Sequence, residues 1–250
     1  MNDELELLLA EIDLLNSDLA LESDLLDEKI QHELALAYTY ESNRLEGGGL
    51  TLAETEMAIK LGLMMPDKTM TEYLATIDHY QAVLFIRQQA AEQTLLSEAL
   101  IKQIHSILLR GINHEYSGIY RTQPLFNKGE HIPPAPEQLP VLMSQMLQWQ
   151  CEEGQFLHPV IFAAEIHQRL MSMQLFLAAN GQCARLLMNL VLLEAGYPLA
   201  NISGTEVGSA AYYHALELAN CHGQKQEWYR LIVEQVKSDI ESLLQRLRDV

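Results

Sequence analysis

Apolar residues recur at helical spacing along nearly the whole chain, and this period constrains the fold more than any other feature. Leu5, Leu8, Ile12, Leu15 and Leu19 mark it near the start, Leu100, Ile101, Ile104 and Leu108 in the middle, and Ile240, Leu243 and Leu247 at the end. The chain therefore reads as all-α. Start signals agree: Thr51 with Glu54 makes a capping box, and Pro140 and Pro159 suit a first helical position. Stop signals agree too, because Gly111, Gly154, Gly196 with Pro198 beyond it, and Gly223 each close a periodic run.

One stretch breaks the pattern. Residues 120–140 hold five of the eight prolines and no helical period, which predicts a loop or short β-hairpin turning at Asn127, Lys128 and Gly129. No repeat or linker divides the rest. The division is one domain over residues 35–250 preceded by an acidic helical extension over residues 1–34.

At 250 residues the chain can bury about three quarters of its unfolded surface without staples. Cys151, Cys183 and Cys221 are too few and scattered for a disulfide framework, so cytosolic thiols and a cytoplasmic location are expected. The Leu-rich start has no basic residue before Lys29, unlike a signal peptide, and no window of 18 uninterrupted apolar residues predicts a membrane span. The net charge of −18 disfavours nucleic acid and anionic membranes as partners. Ten of the acids lie between Asp3 and Glu28, which reads as one solvated helix face.

The segment His158 to Pro198 reads helix, short polar break, helix, with the break at Ala178, Ala179, Asn180 and Gly181 and the second helix starting near Gln182. A loop feeding a helix N-terminus offers free amides to an anion. Cys183, just inside that helix, suits a small buried residue better than an activated thiol. His167 falls seven residues before Gln174, about 10 Å along a helix, and reads as a packed core histidine. The other histidines, His105, His114 and His131 among them, build no metal or catalytic cluster by spacing.

Here the sequence resembles the Fic (Fido) domain family. Its signature, His-Pro-Phe-x-Asp/Glu-Gly-Asn-Gly-Arg-x-x-Arg, aligns with Gln174 through Arg185, where Phe176, Asn180, Gly181 and Arg185 match four of nine specified positions. The surroundings carry the likeness further: Ala163-Ala164 and His167 upstream, RLLMNLVLLEAGYP downstream, Gly118-x-Tyr120-Arg121 with Pro133-Pro134, and Tyr212-Tyr213. Ser42-x-x-x-Glu46-Gly47, within a helix expected near residues 38–47, resembles the autoinhibitory motif of one class of the family. There the glutamate pairs with the last signature arginine, here Arg185, and blocks placement of the ATP γ-phosphate.

The resemblance implies a helical Fic-type domain with a β-hairpin flap, and AMP transfer from ATP to a protein hydroxyl. It places Asn180, Gly181, Gln182 and Arg185 at the nucleotide, Ser42, Glu46 and Gly47 in the inhibitory helix, and Tyr120, Arg121, Leu125, Phe126, His131 and Ile132 on a flap that docks a target peptide. Three positions depart from that chemistry. Gln174 stands where a histidine would accept the hydroxyl proton, and losing a general base costs on the order of 10² to 10⁴ in rate. Ala178 offers magnesium no side-chain oxygen, and Gln182 replaces a phosphate-binding arginine. Binding of ATP and magnesium is thus doubtful. Two readings remain: a catalytically silent binding or regulatory pseudoenzyme, or an enzyme with residual or altered phosphate chemistry at Asn180, Gly181 and Arg185. A protein or peptide at the flap is the expected partner, with a second copy of the chain as a further candidate.

Overall fold

The structure, a computed structural model, describes residues 3–22, 25–125 and 130–249, and these are helical with no strand. Among the described residues ten α-helices follow one another: α1 Asp3–Leu21, α2 Glu28–Leu45, α3 Leu52–Leu61, α4 Met70–Ala91, α5 Glu98–Leu109, α6 Leu139–Glu152, α7 Pro159–Met173, α8 Asn180–Glu194, α9 Glu206–His222 and α10 Gln226–Arg248. Most starts are chemically marked. Thr51 with Glu54 and Thr69 with Glu72 form capping boxes on α3 and α4, while Asp27, Ser97 and Thr205 cap α2, α5 and α9. Pro159 opens α7, whereas Pro140 takes the second position of α6, after Leu139.

Helix α8 is the axis of the molecule. From Cys183 to Leu192 every side chain is buried, polar Arg185 and Asn189 included, because α7, α4, α5 and α2 surround it. A helix apolar all round demands such a sheath. The break before it differs from the sequence expectation: α7 already ends at Met173, residues 174–179 form the loop, and Asn180 and Gly181 belong to the first turn of α8. The reason is local. Gln174 (φ 43°) and Ala179 (φ 57°) both adopt the left-handed conformation, so the chain leaves one helix and enters the next at non-glycine residues.

The acidic N-terminal helix packs onto the rest of the molecule. Leu5, Leu9, Ile12 and Leu19 enter the common core, mainly against α10, and the expected boundary at residue 34 falls within α2. Nor is its acidic face only solvated: Glu4, Glu11 and Glu22 meet Arg230, Lys237 and Arg248 of α10. Exposed pairs of this kind contribute about 0–1 kcal/mol each. Each buried leucine or isoleucine contributes roughly 1.5–3 kcal/mol, so apolar burial holds α1 in place.

In the proline-rich segment the described residues, 120–125 and 130–135, contain no strand. Phe126 and the turn residues Asn127, Lys128 and Gly129 lie outside the described residues. No described helix is long and apolar enough to cross a membrane.

Ile12 has no solvent exposure, so Ile12→Ala should lower the free energy of unfolding by about 2–5 kcal/mol. Lys237→Ala, which removes only a surface pair, should cost less than about 1 kcal/mol in the same urea titration.

Candidate functional site

The loop 174–179 is held by its backbone rather than by its side chains. Arg121, itself 2% exposed, donates from Nε to the Gln174 carbonyl (2.7 Å) and from its amide to the Leu175 carbonyl (2.9 Å). Its Nη2 reaches the Pro134 carbonyl (2.6 Å) and its Nη1 the Gln123 carbonyl (3.1 Å), so one guanidinium ties the loop to both arms of the proline-rich segment. Asn180 closes the loop from the other side, accepting from the Phe176 amide (2.9 Å) and donating to the Phe176 carbonyl (2.7 Å).

His105 supplies a third hold that residue spacing does not reveal. Its ring stacks on Phe176 at 3.6 Å between centroids and 6° between planes. Nδ1 accepts from the Gly118 amide (2.9 Å), which leaves the proton on Nε2 to donate to the Ala178 carbonyl (3.1 Å). Burial lowers its pKa to about 4, so the ring stays neutral. The signal available in the sequence was a histidine on the apolar face of α5, between Ile104 and Leu108.

Behind the loop, Arg185 is fully enclosed. It donates from Nε to Ser42 Oγ (3.0 Å), from Nη2 to the Ser42 carbonyl (3.0 Å) and Glu46 Oε1 (2.8 Å), and from Nη1 to Tyr212 Oη (3.2 Å). Burial opposes the charge, but the Glu46 carboxylate beside it and the acceptors around it outweigh burial and keep the guanidinium protonated. Glu46 is the C-cap of α2 and about one-third exposed. Its Oε1 lies against Gly181, where a Cβ would overlap it. The carboxylate thus stands at the α8 N-terminus, where the helix dipole favours negative charge.

The hydroxyls pass the arrangement on. Ser42 Oγ, accepting from Arg185, gives its proton to His79 Nε2 (2.9 Å), whose pKa burial pulls down to about 3. Tyr212 likewise gives its proton to His167 Nε2 (3.0 Å), and burial keeps that imidazole neutral as well. His167 is therefore the packed core histidine its spacing suggested, and Cys183 is a buried thiol with its pKa pushed up to about 12.

Gln182 does not point into open space, for its Nε2 donates to Asn43 Oδ1 (2.7 Å), a second link between α8 and α2. Gly47 follows Glu46 in the left-handed conformation (φ 83°), which turns the chain away from the site. Ala178 is exposed, and its carbonyl is taken by His105. Among the described residues no group of three or more His, Cys, Asp or Glu side chains is placed to hold a metal ion. Ala178 brings no side-chain oxygen to the loop, and Glu46 Oε1 occupies the space against Gly181. On the proline-rich segment, Tyr120 packs on Phe176 of the loop and His131 bonds the Ser172 carbonyl (2.7 Å) in the last turn of α7. Leu125 is partly buried and Ile132 is exposed.

Arg185→Met should destabilise the protein by about 3–5 kcal/mol, because Glu46, Ser42 and Tyr212 all lose their buried donor. Glu46→Gln should cost less, about 1–2 kcal/mol, since that carboxylate is part-solvated and Arg185 keeps its neutral acceptors. Denaturant unfolding of both variants checks the ranking. A pH titration tests the histidines. His79, His105 and His167 are neutral when folded and take up protons only on unfolding below about 6.5. Their contribution is complete above that pH and is lost as pH falls toward 4, with a slope of up to about 4 kcal/mol per pH unit. His105→Gln should remove about a third of that slope.

Residues 95–192 match the Fic/DOC family, a span that runs from just before α5 through the loop and nearly all of α8. "Protein adenylyltransferase Fic" from Drosophila mojavensis is 28% identical over 223 residues, covering 89% of this chain but 44% of the relative. The chain thus spans less than half the length of the curated relatives it matches. Among solved structures, Fic-1 from C. elegans superposes with a TM-score of 0.84 at 22% identity, covering 97% of this chain and 72% of that one. IbpAFic2 covalently tethered to Cdc42 superposes at 0.53 with 16% identity, covering 88% and 70%. The helical architecture is shared with these Fic structures, and residues 95–192, which contain the His105, Arg121 and Asn180 holds on the loop, are a Fic/DOC family domain.

Proposed function

We propose that this chain, a Fic-domain protein related to protein adenylyltransferases, acts by binding and regulation and performs no AMP transfer. The observation that carries this reading is the seat of Glu46: its carboxylate fills the space above Gly181 and pairs with Arg185, the position where a transferred nucleotide's phosphates would need amides and a guanidinium. The side chains around it do not supply the missing chemistry. The Gln174 carboxamide accepts no proton near neutral pH. Ala178 brings no oxygen ligand, and Gln182 is engaged with Asn43. Ser42, Glu46 and Gly47 then form a permanent rather than a relievable block.

What the chain retains is the shape of a docking site. Arg121 fixes the proline-rich segment against the loop and His131 fixes it against the last turn of α7, while Ile132 is left exposed. An extended protein segment pairing there by its backbone is the partner we propose. The Fic neighbour that was solved tethered to Cdc42 supports a protein partner in kind. The second reading, residual phosphate chemistry, draws on the anion site itself: with α2 displaced, the α8 N-terminus and Arg185 would be free to hold a phosphate.

Incubation with radiolabelled ATP and magnesium separates the two. The unmodified protein and Gln174→His should label neither themselves nor a lysate, whereas Gln174→His, Ala178→Asp, Gln182→Arg and Glu46→Gly combined should gain detectable labelling. Strong transfer by the unmodified protein would overturn the silent reading.

A further inference from the structure

Helix α1 turns one face to the core and leaves the opposite face open. Leu5, Ile12 and Leu19 recur every seven residues and are buried. Leu7, Leu14 and Leu21 recur every seven residues as well, yet they are 72%, 71% and 84% exposed. Single exposed leucines need no explanation, but three in one register form a surface. With these leucines at position a of a heptad, the small and exposed Ala10 and Ser17 fall at d. Each flanking e and g place from residue 4 to residue 18 then holds an acid: Glu4, Glu6, Glu11, Asp13 and Asp18. The buried set occupies f, on the far side of the helix. Successive leucines drift by about 20° per heptad, so the seam runs as a shallow left-handed stripe of roughly 21 Å. Glu4, Glu11 and Asp13 also meet Arg230, Lys237 and His158, but about half of each carboxylate side chain stays open to a partner. Helix α1 itself contains no Lys or Arg.

We propose that this face of α1 docks a basic amphipathic helix of a partner protein, with apolar side chains at its a and d positions and Lys or Arg at e and g. The charge pattern selects this occupant. A second copy of the chain would set acid against acid along both edges of the seam. An anionic membrane would meet the same acids, and α1 lacks the Lys and Arg that an interfacial helix uses. A basic helix instead finds an opposite charge at each e and g place, while Ala10 and Ser17 leave holes for its larger apolar knobs. The surface is independent of the Glu46–Arg185 centre and of whether that centre performs chemistry.

The probe is a fluorescent peptide of three repeats of Leu-Ala-Ala-Leu-Lys-Gln-Lys, titrated with the full chain and read by anisotropy. The expected Kd is on the order of 10–100 μM at about 0.05 M salt, rising at least about fivefold at about 0.5 M. Two control peptides separate charge from seam. One carries Glu for every Lys, and the other keeps the composition but scatters the leucines around the helix. Each should bind at least about tenfold more weakly. Leu14→Ser, at an exposed position, should weaken the basic peptide about tenfold and leave the melting temperature unchanged. Glu6→Lys combined with Asp18→Lys should weaken the basic peptide to a similar extent and admit the Glu peptide. Absence of binding, equal binding of either control peptide, indifference to Leu14→Ser, or a dimer of the free chain that Leu14→Ser dissolves in sedimentation would each overturn the proposal.

Discussion

A single buried cation organises the centre of this molecule. Arg185 sits in the first turns of α8 with 1% of its surface exposed, and a guanidinium in that position is tolerable only if every strong donor finds an acceptor. The acceptors come from elements far apart in sequence: Ser42 and Glu46 from α2, and Tyr212 from α9. Helix α2 is therefore not a cover laid over a finished domain. Its last turn completes the solvation of the core, and the hydroxyls of Ser42 and Tyr212 extend that solvation to His79 and His167.

The loop in front of Arg185 follows the opposite logic. Arg121 binds its peptide groups at residues 174 and 175, His105 at 178 and Asn180 at 176. Two side chains add to this: Phe176 stacks on His105 and Leu175 is buried in the core. A loop defined in this way keeps its course when its remaining side chains change. That is how Gln174, Leu175, Ala178 and Ala179 can stand where the family signature has other residues while the helix–loop–helix geometry remains. The left-handed Ala179 shows the limit of this tolerance, since a Cβ at φ 57° carries strain that glycine would not.

Much of this was legible in the sequence, for identifiable reasons. Helical period and capping chemistry are local, so the all-α class, the Thr51–Glu54 box and the stop at Gly223 could be read from neighbouring residues. The pairing of Glu46 with Arg185 was reached only through the resemblance, because nothing local relates residues 139 apart. What escaped were contacts that depend on tertiary placement. His105 looked like an isolated histidine because its partners Gly118, Phe176 and Ala178 meet only in the fold. The start of the loop was misplaced by four residues because no glycine or proline marks Gln174, whose left-handed turn is imposed from outside by the Arg121 bond. The acidic face of α1 read as solvated because its basic partners lie at the other end of the chain.

The contact between Glu46 and Arg185 has a structural role that does not depend on any reaction at the loop in front of it. Removing Arg185 leaves Ser42, Tyr212 and Glu46 without their donor at a cost of about 3–5 kcal/mol, and removing the part-solvated Glu46 costs about 1–2 kcal/mol, both sizeable shares of the roughly 5–15 kcal/mol by which proteins are stable. Gln174 and Ala178 are under no such constraint: one is a partly buried amide and the other an exposed methyl, and neither satisfies a buried group with its side chain. Residues whose side chains satisfy no buried group can change singly, whereas residues that solvate the core change at a cost in stability. The pair is thus preserved by stability whether or not the site above it binds a nucleotide, and its function has to be read from binding rather than from its presence.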